Sequence, residues 1–241
     1  ILGPDGKKKL SKRDGDVDVL EFKAKGYLPD AIINFLAQLG WNDGSTQEIF
    51  TRQELIQKFS FERVQKSPAK FDLDRLNWMN GEYIRTVLSK SEYLDEAKKA
   101  LEQASYTTGR AEEYIDRVLL LDRERVKVFS EIPEIVEFFF VAPRCDAAFV
   151  DLLTKKSSPE EVKAWFGLTI EALKGVEHSE ESLEKALRDL ADSQDIHTGK
   201  LFYAIRIAIT GRTAAPGLFE TILALGVNET LTRIDSAQQA I

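Results

Sequence analysis

Apolar positions in this chain recur mostly three and four residues apart, the spacing that lines one face of an α-helix. Pro29 followed by Ala31, Ile32, Ile33, Phe35, Leu36 and Leu39, and closed by Gly40, predicts a helix with proline in its first turn and glycine past its end. It is apolar enough to be expected inside the protein. Thr51-Arg52-Gln53-Glu54 and Ser158-Pro159-Glu160-Glu161 read as capping boxes, in which side-chain oxygens satisfy amide donors that a helix start leaves over. The same periodicity predicts helices near 72–80, 83–89, 92–104, 111–121, 133–140, 147–154, 180–191, 200–210, 216–225 and 229–240. Strand signals are few. The run 17–22 partly alternates and is compatible with a strand or with a helix starting after Gly15. No fixed-period repeat or low-complexity stretch is present, and 106–109 and 142–146 are the best linker candidates.

Composition narrows the class. With 241 residues, 43% hydrophobic and 30% charged, the chain can bury a substantial core and is expected to hold more than one domain. No run reaches the roughly 18 consecutive apolar residues of a membrane helix, so no membrane partner is expected. The start, Ile1-Leu2-Gly3-Pro4-Asp5-Gly6, has neither a targeting pattern nor an initiator methionine, and is read as a cut inside a longer protein. Cys145 is the only cysteine, which excludes an internal disulfide; with only His178 and His197 besides, no metal site is expected and the compartment is read as cytoplasmic. The net charge of −7 argues globally against nucleic acid. The distribution argues otherwise. Residues 1–90 carry net +2 and 91–241 net −9; ten acids fall between Glu160 and Asp195, and none between Ile196 and Phe219, where Lys200, Arg206 and Arg212 lie.

Three segments offer chemistry. Lys7-Lys8-Lys9-Leu10-Ser11-Lys12-Arg13, between Gly6 and Gly15, is expected to be a loop whose ammonium groups suit a polyphosphate, with Lys9 or Lys12 stabilising charge built up during transfer. Taken alone, such a run is more often a solvated basic turn. Lys66 and Ser67, held extended by Pro68, present a donor pair suited to a phosphate, or else Lys66 is an ordinary surface lysine. Nearby, Asp72 is expected to cap a helix and Trp78 with Tyr83 to be core. Arg206 projects from a predicted helix, and Pro216-Gly217-Leu218 forms a turn whose apolar surface suits an unstacked base. Against this, Leu218 and Phe219 also fit a helix-core stripe, and Arg206 an ion pair with an acid of 160–195. His178 and His197 are read as surface residues and Cys145, next to Arg144, as inert.

Lys9-Leu10-Ser11-Lys12-Arg13 resembles the KMSKS element of class I aminoacyl-tRNA synthetases in the form common in bacterial glutamyl-tRNA synthetases. The flanks 3–6 and 26–41 are similar to the same enzymes, as are the block 61–85 and the block from Gly199-Lys200-Leu201-Phe202 through Arg206, Thr210-Gly211, Pro216 and Leu218-Phe219-Glu220. Leu10 stands where the name-giving motif has methionine, and Asp14 where many relatives carry histidine. The resemblance implies that Lys9, Ser11 and Lys12 act on ATP, with magnesium as its counter-ion, while glutamyl-adenylate forms. It implies that Lys66 and Ser67 meet the inner side of the tRNA. Arg206, Pro216 and Leu218, with Ala215 beside them, would touch the anticodon, and Arg125 is a further anticodon-reading candidate.

The implied architecture is mainly α: a stem-contact-type helical domain with the KMSKS loop over 1–88, then an α-helical bundle, or helical cage, for the anticodon, in subdomains 89–141 and 142–241. Implied partners are tRNA, ATP and glutamate, for a protein expected to be monomeric. No HIGH-type motif precedes the loop, so the chain alone is expected to be catalytically incomplete. The rival reading is a non-enzymatic helical scaffold with a merely solvated basic loop.

Overall fold

The computed structural model describes residues 1–3, 7–10, 18–102 and 104–241. Among them the chain is helical, with thirteen α-helices, short 3₁₀ turns and one π-helical turn; β pairing is confined to two isolated bridges at Leu2. Two compact units result, one of residues 1–105 with 123–135 and one of residues 106–122 with 136–241. The segment 89–141, expected as a subdomain of its own, is thus divided between them: periodicity marks where helices start and stop, not which core their apolar faces join.

In the first unit, α1 (Val19–Ala24) resolves the ambiguity of the run near 17–22 in favour of a helix, with Asp18 capping it by accepting from the Leu20 amide. Gly26 then turns the chain at φ +76°. α2 (Pro29–Gln38) has the expected proline start and packs on α4 (Leu73–Glu82) over a core containing Phe22, Tyr27, Phe35, Phe71, Leu76 and Met79. Edge-to-face pairs Phe22–Tyr27 and Phe35–Phe71, both 5.2 Å between centroids, give this core its geometry. Contrary to expectation α2 is not enclosed all round: Ile33 and Leu36 are 43% and 45% exposed, while Asn34 is buried and donates to the Glu48 carbonyl at 2.9 Å. α3 (Arg52–Lys58) opens with the Thr51/Glu54 capping box, and hydrogen bonds from Thr51 hold the Glu54 carboxyl below the usual range. Asp72 caps α4 as expected. The helix expected over 83–89 is instead a π-helical turn, Tyr83–Val87, continuing α4. Tyr83 is buried with its hydroxyl donating to the Phe50 carbonyl, but Trp78 is 40% exposed and not core. α5 (Lys90–Leu101) follows, behind a Ser89/Glu92 capping box.

The second unit contains α6 (Glu112–Asp122), the part of α7 (Ile132–Phe140) from Val136 on, α8 (Ala147–Leu153), α9 (Pro159–Leu173), α10 (Glu180–Ser193), α11 (Thr198–Thr210), α12 (Leu218–Leu225) and α13 (Val227–Ala240). α9 starts with the predicted Ser158/Glu161 capping box and Pro159 in its first turn. α11 is packed by α8, α9, α10 and α13 and buries six aliphatic residues between Leu201 and Ile209. The acid-rich stretch has a plain physical place. α10 turns Leu183, Leu187 and Ala191 inward and carries Arg188–Glu184 and Lys185–Asp189 ion pairs on its solvated face. Arg233 of α13, 4% exposed, is satisfied by Glu229 and by the carbonyls of Phe138 and Ile209. No helix among the described residues is long and apolar enough to cross a membrane.

Candidate nucleic-acid interface

The lysine run and the residues that follow Lys66–Ser67, separate in the sequence, share one backbone rung. The Leu2 amide donates to the Ala69 carbonyl at 2.8 Å, and the Leu2 carbonyl accepts from the Phe71 amide at 2.9 Å. On the other side, Gly3 donates to Lys8 at 2.8 Å and Leu10 to Ile1 at 3.0 Å. Leu2 therefore bridges Lys9 and Lys70 at once, antiparallel to the first and parallel to the second. Lys9 is exposed, as are Lys66 and Ser67. This brings Lys9 and Lys70 onto one backbone rung, with Lys66 and Ser67 exposed a few residues before it. Ser11, Lys12 and Asp14 lie outside the described residues.

In the second unit the candidate residues converge on the loop 211–217 between α11 and α12. Gly211 ends α11 at φ +68°, the left-handed conformation that closes a helix most easily without a side chain. Arg206, half-buried, donates through Nη1 to the carbonyls of Ala215 at 3.1 Å and Pro216 at 2.6 Å. The Thr210 hydroxyl lies 2.7 Å from the Arg206 carbonyl and accepts from the Arg212 amide at 3.1 Å. At the far end Glu220 accepts from the Gly217 amide at 3.1 Å and Thr221 donates to the Gly217 carbonyl at 2.8 Å. The loop is thus fixed at both ends, with Thr213, Ala214 and Gly217 exposed. The side chains of Pro216 and Leu218 are buried, Leu218 in the core of the unit. What the loop offers outward is its backbone, its small side chains and the guanidinium beneath it. Thr210 and Glu220 stand in the matching block without a role, and Thr221 is not in it, because hydroxyls and carboxylates in a helix carry no signal of which carbonyl or amide they meet.

Arg125 sits half-buried in the 3₁₀ turn Arg123–Arg125 of the first unit. Its neighbour Arg123 is structural, donating to the carbonyls of Ile84 and Leu88 and lying 5.0 Å over the Tyr93 ring. His197 caps α11, its Nδ1 accepting from the Gly199 amide at 3.1 Å. Desolvation and the Asp146 carboxylate push the thiol pKa of the exposed Cys145 up, which favours its protonated form.

Residues 87–238 match the family described as "Anticodon binding domain", and residues 2–78 that described as "tRNA synthetases class I (E and Q), catalytic domain". A helical anticodon-binding region following a class I synthetase segment is the class that this fold and these residues define. Within it, the chain is 38% identical to the glutamate–tRNA ligase of Herpetosiphon aurantiacus, over 100% of the chain and 49% of that protein. It is 39% identical to the Roseiflexus sp. ligase, over 100% and 48%. The crystal structure of an Elizabethkingia meningosepticum glutamate tRNA ligase in complex with its amino acid superposes with a TM-score of 0.83 at 29% identity, covering 99% of this chain and 50% of that one. The chain belongs to the family described as "Anticodon binding domain", is similar along its whole length to glutamate–tRNA ligases, and spans about half the length of the curated relatives it matches.

Proposed function

We propose that the chain is the tRNA-reading part of an ATP-dependent glutamate–tRNA ligase. The enzyme joins glutamate to its tRNA through glutamyl-adenylate, in the cytoplasm and as a monomer. The observation that carries this reading is the 211–217 loop: the match to an anticodon-binding domain covers it, and hydrogen bonds of Arg206, Thr210, Glu220 and Thr221 tie it down at both ends. A loop held by such bonds loses little entropy on binding an unstacked base. Arg206 acts from beneath it, Ala215 and Gly217 offer backbone groups, and Pro216 and Leu218 support the loop from the core side. Arg125 is a further candidate for contact with the tRNA. Lys66 and Ser67 take tRNA phosphates. Lys9, Ser11 and Lys12 serve ATP, which brings magnesium as counter-ion; the exposed Lys9 ammonium, on a backbone rung pinned at both edges, fits a polyphosphate.

Fluorescence titration of the chain with glutamate tRNA and with an anticodon-substituted copy, at low and moderate salt, tests the reading. Tighter binding of the native tRNA at both salts is expected. Equal affinities that fall together with salt would leave only phosphate contacts and remove base reading from the chain.

A further inference from the structure

The second unit has a cleft of about 390 Å³ where the start of α6 meets the junction of α12 and α13. That volume falls in the roughly 300–1,000 Å³ range of small-ligand pockets. Phe139, Leu225 and the ring of Tyr114 form its apolar side. At its edge Gly109 stands at φ +77° with no atom within 4 Å of where a β-carbon would be, which leaves that side open. Two guanidinium groups also line the cleft. Arg233, 4% exposed, has Nε on Glu229 at 2.7 Å and Nη1 on the carbonyls of Phe138 at 2.5 Å and Ile209 at 2.7 Å. Its Nη2 has no hydrogen-bond partner among the described residues. Arg110 is exposed and keeps one long bond, from Nη2 to the Phe140 carbonyl at 3.3 Å. The Tyr114 hydroxyl donates to the Phe139 carbonyl at 2.8 Å. Burial pushes its pKa up; Arg110 and Arg233 act against that rise and Glu229 with it, so the three charges gather round one hydroxyl.

Glu229 is the one carboxylate lining the cleft among the described residues, so the two guanidinium groups leave an excess of one positive charge. α13, which opens after Gly226 without a side-chain cap, adds the positive end of its dipole. A metal cation is repelled by this arrangement. A phosphate would bring more negative charge than the excess and would set it against a phenyl ring and a leucine. A single carboxylate on an apolar body matches both sides of the cleft, and gives Nη2 of Arg233 the acceptor that a buried donor needs. We infer that this cleft is a binding site for a small organic carboxylate with an apolar body, the carboxylate held by Arg110 and by Nη2 of Arg233, the body lying against Phe139 and Leu225. The inference does not rest on the proposed tRNA-reading function, which gives none of these residues a part.

The test is an NMR titration of the chain and of Arg110→Gln with three probes: phenylacetate, its uncharged amide phenylacetamide, and inorganic phosphate. Phenylacetate should bind saturably and shift the signals of Gly109, Tyr114 and Leu225. Phenylacetamide should bind about tenfold more weakly, as loss of a charged hydrogen-bond pair entails. Arg110→Gln should weaken phenylacetate about tenfold and leave the amide unchanged, and Arg110→Lys, which keeps the charge without the planar fork, should restore only part of the loss. Because Arg110 is exposed, both variants should unfold at the temperature of the unaltered chain, which keeps folding out of the result. Equal affinity for acid and amide, unaltered affinity in Arg110→Gln, shifts confined to other residues, or no saturable binding of phenylacetate would each overturn the site. Phosphate displacing phenylacetate at equal concentration would show plain anion binding and overturn the assignment to an apolar carboxylate. The titration contains no RNA, so its failure leaves the tRNA-reading proposal where it stands.

Discussion

A β-carbon at position 26 would lie 2.6 Å from Cβ of Phe129, on a backbone already at φ +76°. Neither the turn nor the close approach tolerates a larger residue, so Gly26→Ala should destabilise the first unit by about 2–4 kcal/mol, read as a lowered denaturant midpoint. Tyr83 gives a pH signature. Burial, and then the carboxylates of Asp30 and Glu54, push its pKa up to about 12. The folded chain therefore keeps that proton where the unfolded chain, near 10, has lost it. The resulting stability is fully present below pH 10 and is lost as pH rises through 12. Denaturant titrations between pH 9 and 12 should show a shallower alkaline decline for Tyr83→Phe; an unchanged slope would falsify the assignment. Single residues were also where sequence reading fell short. Leu218 and Pro216 look identical in a string whether they shelve a base or fill a core, and only packing separates the two.

Elements were far more legible. Both predicted capping boxes form with their reciprocal bonds, because the motif is local and carries its own geometry. Ser158→Ala removes one of them from α9, and should cost about 1 kcal/mol and lower the melting temperature by roughly 2–4 °C, visible by circular dichroism. Helices with clear stops, such as α8 and α11, fall within a few residues of the periodicity that predicts them. Two features without a local signature were misjudged. The residues after Glu82 continue α4 as a π-helical turn, and the outer face of α2 keeps Ile33 and Leu36 exposed although the pattern is almost wholly apolar. The Leu2 rung, joining residues 1–3 to 7–10 and to 69–71, depends on partners more than sixty positions apart and leaves no trace in periodicity.

At the scale of the molecule, net charge misleads and its distribution informs. The acids of 160–195 belong largely to a solvated helix face with internal pairs, so the −7 total says little about the loop 211–217. The lysine run occurs here without a HIGH-type motif, in a chain about half the length of its relatives. ATP–pyrophosphate exchange by the chain alone should be at background in the presence of glutamate and tRNA, and measurable turnover would show that the residues present suffice for adenylate formation.

The interleaving of the two units carries a consequence for synthesis on the ribosome. The first unit includes residues 123–135, among them Val128, which enters its core, and Phe129, which closes against Gly26. A nascent chain that has reached Ser105 still lacks this wall. At roughly 5–20 residues per second the missing piece follows only after about 2–6 seconds, plus the time needed to clear the exit tunnel. During that interval the core around α1, α2 and α4 lacks Val128, and Gly26 lacks its Phe129 neighbour, while the 106–122 segment of the other unit emerges first. A pause or a chaperone acting at that stage would change the yield of folded protein without changing one contact of the finished structure.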